Sequence, residues 1–121
     1  MIRIKRVYDP VDTSDGKRIL VDRLWPRGLA KEQAALHEWM KELAPSHELR
    51  KWFNHDVAKF EEFKAKYGEE LIRDESKAAL CKQLMQWSSD GDTVTLLYAA
   101  KDEERNQAAV LAEWLAASEQ R

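Results

Sequence analysis

The first residues of the chain alternate between apolar and basic side chains, from Ile2 to Tyr8. Such alternation is typical of a β-strand with one buried face. The pair Asp9-Pro10 predicts the end of this strand, because proline cannot donate to a strand ladder and aspartate favours turns. A second strand is predicted over residues 18–24. Its unbroken apolar run at 19–21 is expected where both faces of a strand are covered.

The apolar spacing becomes helical after the second strand. Leu36, Trp39, Met40 and Leu43 are three or four residues apart on one face, which predicts a helix over about 29–43. Four more helices are predicted downstream: a short one capped by Ser46, a longer one containing Phe60 to Leu71, one over about 75–87, and a last one that starts at an Asp102 cap and runs to about Ala117.

A third strand is predicted over residues 93–98, where β-branched and apolar residues follow the turn cluster 88–92. Because helices follow strands, the chain is predicted to be one α/β domain over residues 1–121. Its sheet is expected to be short, mostly parallel and three-stranded, flanked by about four to five helices. The loop between the first two strands is short for a parallel return. An antiparallel, hairpin-like pairing of these two strands is therefore an alternative.

The charge of the chain is nearly balanced overall but uneven along its length. The net charge is -2 and the sequence pI about 5.9, which argues against nucleic-acid binding through bulk charge. Residues 1–31 nevertheless carry a net charge of +4, and the rest of the chain carries −6. An anion site is therefore expected near the N-terminal segment of the chain.

The single cysteine, Cys81, excludes an internal disulfide and indicates a reducing compartment. The first residues are basic but lack the apolar segment of a secretory signal, and no apolar run is long enough to span a membrane. The cytoplasm is therefore the expected location. The three histidines lack metal-ligand spacing, so neither a metal nor a cofactor is expected.

Candidate chemistry follows the predicted strands, because open α/β sheets bind ligands beyond the carboxyl ends of their strands. Arginine offers a planar fork of donors for phosphate or carboxylate, and lysine adds a point charge. We predict an anion site at this edge. Its candidate ligand-binding residues are Tyr8, Arg23, Arg27, Lys101 and Asn106, and its candidate acid–base residues are Asp22 and Tyr98.

Asp22 and some neighbouring residues also have a purely structural interpretation. Asp22 can pair with Arg23 or Arg18 and fix the turn after the second strand. The pair Trp25-Pro26 can simply pack against the core and have no role in a site. His55 lies in a predicted helix break, where a surface or capping role is the default interpretation.

Several stretches of the chain resemble the YeaO-like proteins of the domain-of-unknown-function family 488. The stretches are Arg6-Val7-Tyr8-Asp9, Asp22-Arg23-Leu24-Trp25-Pro26-Arg27-Gly28, and Leu96-Leu97-Tyr98-Ala99-Ala100-Lys101-Asp102. The resemblance spans nearly the whole chain. It implies a small Rossmann-like fold with parallel strands and a shared site at their carboxyl edge. It implies no substrate, because the family is uncharacterised.

The chain departs from this family pattern at two positions that bear on catalysis. Its last strand ends Leu97-Tyr98-Ala99, without the cysteine that longer members carry there. Many relatives have Asn-His early in the last helix, whereas this chain has Asn106-Gln107. Glutamine cannot transfer protons as a base, so neither a thiol-dependent nor a histidine-dependent reaction carries over.

Three hypotheses of function follow from the sequence. The first is a domain that binds a phosphorylated or nucleotide-like small molecule at the carboxyl edge, with catalysis left open. The second is a non-enzymatic interaction or regulatory module, with a homodimer as one form of it, because five tryptophans in a small domain can leave an apolar patch exposed. The third is nucleic-acid binding through the basic front segment, which the acidic total and the lack of a binding motif disfavour.

Overall fold

The structure is a computed structural model that describes residues 1–119. It contains a four-stranded parallel sheet in the order β1-β4-β2-β3. The strands are β1 (Ile2–Arg6), β2 (Lys17–Leu20), β3 (Glu38–Trp39) and β4 (Val94–Tyr98). The helices are α1 (Lys31–Ala34), α2 (His47–Phe53), α3 (Phe60–Arg73), α4 (Glu75–Ser89) and α5 (Gln107–Glu119).

The parallel α/β class predicted from the sequence is confirmed, but the strand count is not. The sheet has four strands rather than three. β1 and β2 do not pair as a hairpin. Both run parallel to β4, which lies between them. Residues 7–16 therefore cross the sheet to return from the end of β1 to the start of β2, with a 3-10 turn at Thr13–Asp15.

The predicted helix over 29–43 is wrong. Helix α1 ends after one turn at Ala35, which adopts a left-handed conformation (φ 48°), and β3 follows. The backbone N–H of His37 donates to the carbonyl of Arg18 (2.8 Å), and that of Met40 donates to the carbonyl of Leu20 (2.9 Å). These bonds attach the segment to the edge of β2.

The apolar residues of this segment pack on opposite faces of the sheet. Leu36 and Trp39 join the cluster around Leu20, whereas Met40 and Leu43 are buried in the larger core on the other face. One face of a helix can reach only one side of a sheet. The segment therefore has to be extended so that its apolar side chains can pack on both faces of the sheet, although their spacing matches a helix.

The two faces of the sheet differ in character. The helix-side face packs against α3, α4 and α5 and forms the main core, with Ile19, Val94 and Leu96 at its centre. The opposite face carries a small apolar cluster of Val7, Leu20 and Leu97 near the carboxyl ends of the strands. No helix among residues 1–119 is long and apolar enough to cross a membrane.

Candidate functional site

The carboxyl ends of β1, β2 and β4 lie side by side because the three strands are parallel and in register. Arg6 pairs with Tyr98, and Leu20 pairs with Leu97. The chain leaves these strands through the segments 7–8, 21–28 and 99–106. The structure therefore brings to one edge of the sheet the loops that the sequence identified as a candidate site.

Asp22 holds two of these loops together. One of its carboxylate oxygens accepts a hydrogen bond from the backbone N–H of Ala99 (2.9 Å), and the other accepts one from the side-chain amide of Gln107. Asp22 is half-buried. The expected pairing with Arg23 or Arg18 does not form, since Arg23 contacts Glu42 and Arg18 contacts Asp15.

Burial raises the pKa of Asp22 from 3.8 to about 6, although its two hydrogen bonds and the nearby charges of His55 and Arg50 act in the opposite direction. Such a pKa suits proton transfer near neutral pH. Each carboxylate oxygen already accepts one hydrogen bond from the fold, and each keeps a second lone pair.

Tyr98 is buried at the end of β4. Its side chain is 2% exposed and belongs to the helix-side core. Desolvation raises the pKa of its hydroxyl, and the acidic groups of Glu103 and Asp9 add to this effect. The phenol therefore stays protonated at neutral pH.

Tyr8 and Arg27 come together at the edge. The Tyr8 hydroxyl donates to the carbonyl oxygen of Arg27 (2.8 Å). The Arg6 guanidinium lies 4.8 Å from the centre of the Tyr8 ring, a cation–π arrangement. These contacts tie the loop after β2 to the end of β1 and leave the Arg27 side chain exposed.

Arg23 lies in a surface ion pair. Its Nη1 is 2.7 Å from Oε1 of Glu42, and both side chains are substantially exposed. An anion at this position would have to compete with Glu42 for the guanidinium. Arg23 is therefore less available to a ligand than Arg27.

Lys101 is exposed in the loop after β4, and Arg6 positions that loop. The Arg6 guanidinium donates to the carbonyl oxygens of Ala100 (3.1 Å) and Ala99 (3.2 Å). Within residues 1–119, the side chains of Arg27 and Lys101 make neither a hydrogen bond nor an ion pair. Both cations are therefore free to meet a ligand.

Asn106 is a helix cap. It is 2% exposed, its oxygen accepts from the N–H of Ala109 (2.9 Å), and its amide donates to the carbonyl of Asp102 (2.9 Å). The predicted cap, Asp102, instead closes a bend by accepting from the N–H groups of Glu104 and Arg105. Helix α5 therefore begins at Gln107, later than the sequence predicts, and the Asn106 side chain has no free polar atom for a ligand.

Arg50 and His55 were not among the predicted site residues, yet both are close enough to Asp22 to lower its pKa. His55 follows α2 in a left-handed turn, with φ 45° at Asn54 and 55° at His55. The sequence signal was the break Asn54-His55-Asp56, whose nearness to the end of β2 depends on tertiary packing. Within residues 1–119, the guanidinium of Arg50 has no hydrogen-bonded or ion-paired partner.

Two cavities lie away from this edge. One lies on the face opposite the helices, between Arg3, Lys5 and Asp15. The other lies between α2 and α3, beside Trp52 and Lys66. Cys81 is buried in the core, and burial raises the pKa of its thiol to about 12, so it is not a reactive nucleophile at neutral pH.

The sequence matches, over residues 1–121, the family described as the inactive DUF488-N3 subclade, and the chain belongs to that family. It is 49% identical over 114 residues to the uncharacterized protein YeaO of Escherichia coli (strain K12), covering 94% of this chain and 96% of the relative. It is 41% identical over 114 residues to the uncharacterized protein Rv3073c of Mycobacterium tuberculosis (strain ATCC 25618 / H37Rv), covering 94% of this chain and 92% of the relative. No solved structure matches the chain.

Proposed function

We propose that this protein is a cytoplasmic, Rossmann-like domain that binds a phosphorylated or otherwise anionic small molecule at the carboxyl edge of its sheet, without turning it over. The observation that carries the proposal is the set of unpaired cations at this edge. Arg27 and Lys101 are exposed and Arg50 is half-buried. Among residues 1–119, none of the three guanidinium or ammonium groups has a hydrogen-bonded or ion-paired partner, although Arg50 is close enough to Asp22 to lower its pKa. Arginine and lysine in this state suit a phosphate or carboxylate.

The engagement of Asp22 supports binding rather than turnover. Asp22 is half-buried, and each of its oxygens already accepts a hydrogen bond that holds the loops of this edge together. Gln107 stands where the resemblance to the YeaO-like proteins leads us to expect histidine, and glutamine cannot exchange a proton. The description of the family as an inactive subclade is consistent with this proposal.

A thermal-shift screen tests the proposal directly. The probes are phosphate, sulfate, nucleotides and sugar phosphates, each at constant ionic strength. A ligand at a hundred times its dissociation constant adds about 2.7 kcal/mol to the free energy of unfolding, which such a screen detects. We expect the shift to vanish in Arg27→Ala and Lys101→Ala and to persist in Lys82→Ala, which removes an exposed lysine from α4.

Three results would argue against this function. The first is the absence of a shift with any anion. The second is a shift that Arg27→Ala and Lys101→Ala leave unchanged. The third is a large loss of stability in Arg27→Ala with binding intact, which would make that arginine a structural residue.

A second candidate function is that of a protein-interaction module. The five tryptophans do not favour it, because each is partly buried. Leu24 favours it, because this side chain is 77% exposed in the loop after β2, and Tyr8 is 39% exposed at the same edge. Light scattering at several concentrations tests whether the chain self-associates, and Leu24→Ser should then reduce the association. A strict monomer would disfavour the homodimer.

A further inference from the structure

Three strands place a row of polar side chains on the sheet face opposite the helices. Arg3 of β1 and Arg18 of β2 both pair in register with Thr95 of β4. These three residues therefore lie side by side across the sheet, because paired residues in register point to the same face. Lys5 lies on the same face, two residues beyond Arg3.

The carboxylate of Asp15 forms ion pairs with two cations of this row, Lys5 and Arg18. Asp15, from the loop that crosses the face, is buried, and its oxygens lie 3.0 Å from Nζ of Lys5 and 2.6 Å from Nη1 of Arg18. Thr95 donates to the backbone carbonyl of Asp15 (2.6 Å), which fixes the loop on the sheet. Within residues 1–119, the Arg3 side chain bonds only to the backbone carbonyl of Ser14, and it forms no ion pair with a carboxylate.

The row thus holds three positive charges around one buried negative charge, and Asp12, which also lines the neighbouring cavity, adds a second carboxylate. Within residues 1–119, the Nη2 atom of Arg18 is buried without a hydrogen-bond partner. A buried donor without a partner is costly. Asp12, at the rim, has one carboxylate oxygen engaged by the N–H of Ser14.

A cavity of about 230 Å³ opens beside this row. It is smaller than the pockets of several hundred Å³ that bind drug-sized ligands, so it suits a small ion with its water. Arg3 can offer its remaining guanidinium N–H groups, and Lys5 and Ser14 add an ammonium and a hydroxyl. The lining residues are Arg3, Ile4, Lys5, Asp12, Ser14, Asp15 and Thr95.

We propose that this cavity is a second anion site, which binds a small tetrahedral oxyanion of the phosphate or sulfate class. Arg3 and Lys5 make the charged contacts, and the hydroxyl of Ser14 donates a hydrogen bond. The site is separate from the carboxyl edge, because Arg3 precedes Tyr8 by five positions along an extended strand, or roughly 16 Å at 3.3 Å per residue. It is independent of the function proposed above.

The test is a titration of the full chain with inorganic phosphate, followed by ¹H–¹⁵N correlation spectra at constant ionic strength. We expect saturable shifts of the amides of residues 3–5, 12–15 and 95. Arg3→Gln should weaken the apparent affinity at least tenfold, since it removes a charged, forked donor. Arg3→Lys should weaken it less. Arg3 is chosen over Lys5 because its hydrogen-bond partner is a carbonyl in an exposed turn and not a buried carboxylate.

Arg27→Gln is the matched control, because it removes an arginine from the other edge. Phosphate shifts at 12–15 that Arg27→Gln leaves intact and Arg3→Gln weakens would establish the second site. Shifts that grow linearly without saturation, that persist unchanged in Arg3→Gln, or that appear only around residues 22–28 and 99–107 would overturn it. The last result would still support binding at the carboxyl edge, so the two proposals fail separately.

Discussion

The side-chain amide of Gln107, at the start of α5, donates a hydrogen bond to the carboxylate of Asp22, 85 residues earlier in the chain. This bond joins the end of β2 to the helix that follows β4. Asp22 also accepts from the N–H of Ala99. A single carboxylate thus organises the edge of the sheet where we place ligand binding, and its protonation should affect the stability of the fold.

The first prediction concerns the pH dependence of stability. The pKa of Asp22 is about 6 in the folded protein and 3.8 ordinarily, so the folded state binds the proton more tightly. This group therefore contributes stability that is complete below about pH 4 and is lost as pH rises through about 6. The loss amounts to about 3 kcal/mol, since each pKa unit corresponds to about 1.4 kcal/mol.

Asp22→Asn removes this titration. Its amide can still accept from the N–H of Ala99 and can donate to a flipped Gln107 side chain, so the contacts survive. Urea unfolding of both proteins from pH 4 to 8 should show the unfolding free energy of the wild type declining relative to that of the variant as pH rises. Parallel curves would mean that Asp22 titrates near its ordinary pKa.

The second prediction concerns the bond from Gln107. This amide favours the ionised form of Asp22 and lowers its pKa. Gln107→Leu should therefore raise the pKa of Asp22 above 6, as measured by ¹³C titration of its carboxyl carbon. Gln83→Leu, at an exposed position of α4, should leave it unchanged. Equal values in the two variants would show that the amide does not stabilise the carboxylate.

Much of this fold could be predicted from the sequence because the relevant signals are local. β4 occupies Val94–Tyr98, within the predicted strand 93–98, and Ser46 caps α2 by accepting from the N–H of Leu49 (3.1 Å). In these elements, spacing, turn residues and caps indicate the same structure. The helix predicted over 29–43 failed because Leu36 and Met40 supply cores on opposite sides of the sheet, which linear spacing cannot show.

The meeting of the candidate residues at one edge of the sheet could be predicted from the sequence, but the partner of each side chain could not. The parallel topology brings Asp22, Arg27 and Lys101 to one edge, as predicted from strand ends alone. Which partner each side chain takes depends on tertiary contacts. Arg23 pairs with Glu42, and Gln107 reaches Asp22, because the elements that carry them pack together.

The third prediction contrasts a buried ion pair with an exposed one. Asp15 accepts hydrogen bonds from Lys5 and Arg18, and these bonds, with one from the N–H of Asp12, keep its pKa low although burial alone would raise it. Asp15→Asn should lower the free energy of unfolding by about 3 kcal/mol or more, because it leaves the buried Arg18 without a counter-charge.

Arg23→Gln, which breaks an exposed pair, should cost less than about 1 kcal/mol. Urea unfolding at pH 7 measures both effects. If the two variants lost similar stability, Asp15 would not hold the crossing loop on the sheet.

The last prediction concerns the tight passage of the chain at Gly16, just before β2. Gly16 has φ +63°, and a Cβ atom there would lie 2.3 Å from the carbonyl oxygen of Thr93. That oxygen also accepts from the N–H of Lys17 (2.9 Å), so it cannot retreat without weakening the start of β2. Gly16→Ala therefore combines backbone strain with a backbone clash and should lower the unfolding free energy by more than about 2 kcal/mol.

Gly91→Ala separates these two effects. Gly91 also has a positive φ, +95°, but nothing lies within 4 Å of a Cβ atom placed there. Its substitution should carry the strain alone, at about 1 kcal/mol. Urea unfolding should rank Gly16→Ala as clearly the more damaging change. Equal losses would indicate that Thr93 moves aside at little cost, and that the close approach at Gly16 does not fix the register between β2 and β4.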